Sequence, residues 1–130
     1  MTIDKNILDE LTQQAKESLR LRMNLDLRNS AEDQSQRMLN ALEPGTVLPI
    51  HRHKNSNEIS ICIRGHYEEY FYDDNGTLTD TIDMLPGGVV LNIPAGQWHT
   101  VKCLESGTVL FEAKDGAYEP LQDEDILRLQ

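Results

Sequence analysis

The sequence is poor in the features that staple, anchor or electrostatically steer a small domain. It has only two cysteines, Cys62 and Cys103, without paired spacing, so no disulfide framework is expected and both thiols should stay reduced. No apolar run approaches the roughly 20 residues of a bilayer span, which excludes a helical membrane protein. Basic residues are scarce: 12 Lys plus Arg against 22 Asp plus Glu leave a net charge of −10. With that balance, and no Lys/Arg cluster interleaved with aromatics, nucleic acid is excluded and a small molecule or another protein is expected as partner. Phosphate-cradling glycine loops, a nucleophile elbow and a dinucleotide fingerprint are all missing. The first residues, MTIDKNILDELTQQ, lack the basic start and unbroken apolar stretch of a signal peptide, so a cytoplasmic location is expected.

What is present fits one domain of 130 residues, long enough to bury its own core. Ile3, Ile7, Leu8, Leu11, Ala15 and Leu19 recur at helical spacing behind Asp4, an N-cap residue type, and predict an amphipathic helix over residues 1–19. Leu21, Met23, Leu25 and Leu27 then alternate with polar residues, the period of a half-buried strand. The remainder of residues 20–130 consists of short apolar runs divided by turn signals such as Pro44-Gly45, Pro86-Gly87-Gly88 and Pro94-Ala95-Gly96. Strands at such close spacing predict a sandwich or barrel. A hairpin is predicted from Tyr67 to Leu85, turning at Asp73-Asp74-Asn75-Gly76, where Gly76 can supply a positive φ. The acidic tail QDEDILRLQ reads either as a short terminal helix or as a frayed end.

Three of the four histidines fall in two short segments: His51 and His53 in GTVLPIHRH, and His99 in IPAGQWH. Residues two apart on a strand share a face, so His51 and His53 would offer their imidazoles side by side. A turn over Lys54 to Asn57 lets Glu58 open the next strand and add a carboxylate, and His99 joins from a third strand. Three imidazoles and a carboxylate suit one divalent transition metal ion, namely iron, manganese, nickel, cobalt, copper or zinc, and are too nitrogen-rich for calcium. A lone strand histidine is more often a satisfied polar residue than a ligand; the joint spacing is what singles these out. Gly45, His51, His53, Glu58 and Gly65 form one pattern, and Gly88, Pro94, Gly96 and His99 the other.

These two segments resemble the signature motifs of the cupin family, with Cys103 where many cupins carry Asn. Further stretches, including Arg22-Met23-Asn24, Gln36 to Gly45, Arg64-Gly65 and Phe111 to Pro120, are similar to the WbuC-type cupin metalloproteins associated with bacterial O-antigen and lipopolysaccharide gene clusters. Ala117 and the DILRLQ ending depart from that family's pattern. The resemblance implies a mainly β fold, a small antiparallel jelly-roll barrel carrying an N-terminal helix, with His51, His53, Glu58 and His99 on one metal. It implies either a metal-dependent enzyme, an isomerase, hydrolase or oxygenase acting on a small anionic or sugar-derived substrate, or a non-catalytic metal-dependent binder of a sugar or carboxylate.

Strand parity extends the site. Ser60, Cys62 and Arg64 would share the inward face of Glu58, and Gln97, Val101 and Cys103 that of His99. Free cysteines usually act as small buried hydrophobes, which is the simpler reading of Cys62 and Cys103; Cys103 as ligand or redox partner is the alternative. Arg22 and Arg64 would either present forked donors to a ligand carboxylate or phosphate, or pair with Glu112 or another acid in a structural network. Glu112 and Lys114 would be a general base and its partner if inward, and a solvated pair if outward; the solvated face is the simpler expectation. Trp98 reads as packing, His66 as a rim residue, and Tyr118 as a weak site candidate. Ile59, Ile61 and Ile63 would then line the outside as an apolar row that either the N-terminal helix or a second subunit covers; a homodimer is the favoured expectation.

Overall fold

Asp4 starts the helix as its sequence suggests. In the computed structural model, which describes residues 1–129, the Asp4 carboxylate accepts from the Ile7 N–H at 3.1 Å, and α1 runs over Lys5–Glu17. Ten strands follow: β1 Arg22–Asp26, β2 Ser35–Leu42, β3 Ile50–His51, β4 Glu58–Arg64, β5 Tyr67–Tyr72, β6 Leu78–Met84, β7 Val90–Ile93, β8 Trp98–Cys103, β9 Thr108–Asp115 and β10 Ile126–Leu127. They form two antiparallel five-stranded sheets, ordered β1-β2-β9-β4-β7 and β10-β3-β8-β5-β6. The expected jelly-roll therefore takes the form of two facing sheets. Among the described residues no helix is long and apolar enough to cross a membrane.

The predicted hairpin is β5 with β6. Asp73 Oδ1 accepts from the N–H groups of Asn75 and Thr77, each at 2.9 Å, and Gly76 adopts φ +82°. Among the described residues the tail forms no α-helix. It makes a single 3-10 turn at Asp123–Asp125 and then pairs with β3, Ile126 opposite His51.

Two apolar clusters hold the layers together. Between the sheets, Leu42, Cys62 and Leu110 meet Tyr67, Met84 and Cys103. Outside the first sheet, Leu11 and Ala15 of α1 pack on Leu39, Ala41 and Val109. The alternating apolar residues Met23, Leu25 and Leu27 belong to this outer cluster. Because α1 covers that face, the polar alternates of β1, β2 and β9 turn toward the opposing sheet.

One irregularity matters for the site. In β4, Cys62 pairs with Leu110, but the register shifts and Arg64 pairs with Val109. Ile63 is thus a bulge residue, and Arg64 moves to the α1 face. Gly65, at φ +86°, completes the bend; a Cβ there would stand 2.6 Å from the Thr108 Cα, so no larger residue fits.

Candidate metal centre

His51 ends β3, and the strand stops there, so His53 is placed by its loop. Its carbonyl accepts from the Gly96 N–H at 2.9 Å, and the Arg52 N–H donates to the Asp125 carbonyl at 3.1 Å. The turn after His53 is fixed by Asn57, whose N–H donates to Asp115 Oδ1 at 2.7 Å and whose Oδ1 accepts from the Ala95 N–H at 3.0 Å. Glu58 then opens β4 as expected. His99 lies on β8 directly opposite His51.

The ligand atoms of His51, His53 and His99 all lie within 4.8 Å of one another. Glu58 sits beside them, its Oε2 3.4 Å from His99 Nε2 and its Oε1 3.6 Å from His53 Nε2. His51 Nδ1 is 3.0 Å from the Pro49 carbonyl and His99 Nδ1 is 2.8 Å from the Gln97 carbonyl. A carbonyl only accepts, so both rings carry a proton on Nδ1 and turn Nε2 inward as the atom available to ligate. This donor set fits a divalent transition metal: His51, His53 and His99 would hold it, with Glu58 as the anionic neighbour.

The electrostatics favour ligation. Burial, reinforced by His99, pulls the pKa of His51 down to about 3. Burial and the Lys114 charge lower His53 to about 4. For Glu58 burial works against ionisation, yet the hydrogen bond with His99 and the Lys114 charge outweigh it and hold the carboxyl at about 2. Burial would also lower His99, but Glu58 reverses the direction and raises it. Two neutral imidazoles and a carboxylate therefore stand ready near neutral pH.

A cavity of about 390 Å³ runs from these ligands along the inner faces to Arg22 and Leu48. Glu112 and Lys114 line it, so the solvated reading of that pair does not hold. Glu112 accepts from Asn40 Nδ2 at 2.9 Å, and its Oε2 lies 3.1 Å from Lys114 Nζ, which also reaches Glu58 at 3.4 Å. Burial and the Glu58 charge raise the Glu112 pKa. Arg22 lines the cavity wall and forms no ion pair with Glu112 or any other acid among the described residues.

Arg64 does not reach the site. Its guanidinium is spread over Asp9 Oδ1, the Leu8 and Gly107 carbonyls and Thr12 Oγ1, at 2.7 to 3.1 Å, and so fastens α1 to the sheet. Cys103 is not a cavity residue either; it lies in the apolar cluster between the sheets, its thiol pushed up by burial and directed to the Leu42 and Glu105 carbonyls. Cys62 shares that cluster. Trp98 packs under the Arg52 guanidinium, 4.4 Å from its ring centre, and donates to Asp74 at 3.0 Å. His66 pairs with the exposed Asp83 and lines neither cavity. Tyr118 lines a second cavity of about 570 Å³ beyond His53 and Lys114, beneath the C-terminal segment. Sequence reasoning missed Asn40 and Glu69, which both line the inner cavity; for Glu69 the alternation Tyr67, Glu69, Phe71 was the available signal.

A family model described as a domain of unknown function, DUF6016, matches residues 3–84. No curated protein matches the chain. Among solved structures, KdgF from Halomonas sp. superposes with a TM-score of 0.62 at 13% identity, covering 75% of this chain and 82% of that one. The capsular polysaccharide assembling protein CapF from Staphylococcus aureus gives 0.63 at 21% identity over 79% of this chain, which spans only 30% of CapF. The cupin domain of Schizosaccharomyces pombe Cnp3 gives 0.60 at 16% identity, over 73% of this chain and 64% of that one. At these identities the likeness is one of fold, and the fold is that of the cupins.

Proposed function

The chain belongs to the family described as DUF6016, and from that premise we propose that it is a cupin metalloenzyme of the WbuC type. It would use one divalent transition metal on His51, His53, Glu58 and His99 to act on a small anionic or sugar-derived substrate. The observation that carries this reading is the pair of Nδ1 contacts to the Pro49 and Gln97 carbonyls, which orient the half-buried His51 and the buried His99 imidazoles toward the same point. When bound, the ion supplies Lewis-acid polarisation of a substrate oxygen.

The chain's own residues supply the rest. Arg22 offers a forked donor to a carboxylate or phosphate within the cavity. Glu112, steadied by Asn40 and Lys114 and raised in pKa by burial, is the group suited to take or give a proton at Oε2. Arg22, Lys114 and the ion make the pocket positive within an acidic protein, which favours anions there. CapF, described as a capsular polysaccharide assembling protein and matched over 30% of its length, agrees with a role in cell-surface polysaccharide synthesis; the O-antigen part of the proposal rests on the WbuC resemblance.

The test is turnover of nucleotide sugars and sugar acids by the metal-loaded protein, with His51→Ala as control. Turnover in the wild type that vanishes with His51 is expected. Saturable binding of a sugar acid without turnover would replace the enzyme by a metal-dependent binding protein.

A further inference from the structure

Several polar groups between the sheets satisfy one another. Ser60 Oγ lies 2.7 Å from the Tyr67 hydroxyl, Glu112 is held by Asn40 and Lys114, and Glu58 lies against His53, His99 and Lys114. Glu69 is different. It lines the same cavity, only 1% of its surface is exposed, and its Oε2 is buried without a hydrogen-bond partner. Its register partners on either side are apolar, Ile82 on β6 and Val101 on β8. A leucine of similar size would pack there without the desolvation penalty that an unpartnered carboxyl carries. A sequence that keeps a costly polar group at the floor of a cavity keeps it for what enters the cavity.

Building on the metal-site reading above, we propose that Glu69 is a ligand-recognition residue, its Oε2 side forming a hydrogen bond with a hydroxyl or carbonyl oxygen of the small molecule held at the metal centre. Position follows from register. Phe71 is opposite His99, and Glu69 is opposite Val101, two residues further along the same face. Two residues of strand rise are about 7 Å, so the contact is made by a part of the ligand remote from its metal-bound oxygen. Burial, then the charges of Glu58 and Glu112, push the Glu69 carboxyl toward its neutral form. A neutral carboxyl both donates and accepts, which suits a hydroxyl in either orientation. Arg22 for an anionic group, the metal for a second oxygen and Glu69 for a third describe a hydroxylated or oxo acid rather than a simple carboxylate.

Calorimetric titration of the metal-loaded protein with gluconate and with hexanoate, which share a chain length and differ in hydroxyls, tests this. The wild type is expected to prefer gluconate. Glu69→Leu should lower gluconate affinity about tenfold, the loss of one good hydrogen bond, with hexanoate affinity and metal stoichiometry unchanged and the melting temperature raised. Glu69→Gln, which keeps a donor and nearly the same shape, should retain most of the preference. Unchanged gluconate affinity in Glu69→Leu at full metal content, or a lowered melting temperature in both variants, would overturn the proposal while leaving the metal site intact. Failure of the wild type to bind either anion would remove the anion-site reading and this proposal with it.

Discussion

Lowering the pH should weaken metal binding far more gently than three histidine ligands would suggest. Each Nε2 must be free of its proton to ligate, so affinity falls as imidazoles protonate. With ordinary imidazole pKa values near 6.5, a drop from pH 6.5 to 4.5 would cost each ligand about 1.7 decades and the trio about five decades of affinity. The structure gives a different sum. His51 and His53, at about 3 and about 4, stay neutral over almost that whole range, and Glu58, at about 2, stays ionised. Only His99, raised by Glu58, must surrender a proton, so the same drop should cost about two decades.

The sign follows from the direction of each shift. A raised His99 favours the protonated metal-free state as pH falls, and binding should release one proton per ion between pH 4.5 and 6.5. The depressed pair joins only near pH 4 and below. Competition against a chromophoric chelator across this range measures the slope, and calorimetry in buffers of different ionisation enthalpy counts the protons. Glu58→Gln removes the partner that raises His99, so proton release at pH 6 should shrink even though affinity drops. A loss of four decades or more, or release of three protons at pH 6, would refute the electrostatic assignment.

The clustering of His51, His53 and His99, with Glu58 beside them, was legible because its signal is local: His51 and His53 two apart, Glu58 after a turn, and His99 after a Pro-Ala-Gly turn. The first helix was legible because Asp4 caps it. The lining residues were less so, and the reason is the covered outer face of the first sheet. Charged alternates of a strand usually face water, and by that rule Glu112 and Lys114 belong outside. Here α1 takes Val109 and Phe111 for its own cluster, which leaves Glu112 and Lys114 pointing between the sheets. The same inversion turns Arg22 inward while Met23 and Leu25 pack beneath the helix. Arg64 failed for another cause. The run EISICIR alternates without a break, and nothing in it marks Ile63 as the residue that bulges.

Two further outcomes follow from the outer surface. Ile63 and Val90 are 42% and 63% exposed, and Val90 pairs with Ile61, so the apolar row on β4 is extended by β7 outside the area that α1 covers. We expect a homodimer through this face; sedimentation should show dimeric wild type and monomeric Ile61→Asp, and a wild-type monomer at micromolar concentration would end the idea. The last concerns Arg64. Its ion pair with Asp9 is partly exposed, at 29% and 47% side-chain accessibility, and contributes little once water screens it. Its bonds to the Leu8 and Gly107 carbonyls and Thr12 are part-buried, and at about 0.5 to 1.5 kcal/mol each they dominate. Arg64→Ala should therefore lose about 2 kcal/mol in urea unfolding, with little dependence on salt because the screened pair is the minor part. Anion affinity should not move, since the guanidinium lies on the far side of the sheet from the cavity. Unchanged stability together with a tenfold loss of anion binding would return Arg64 to the site and would mean that the bulge at Ile63 does not form.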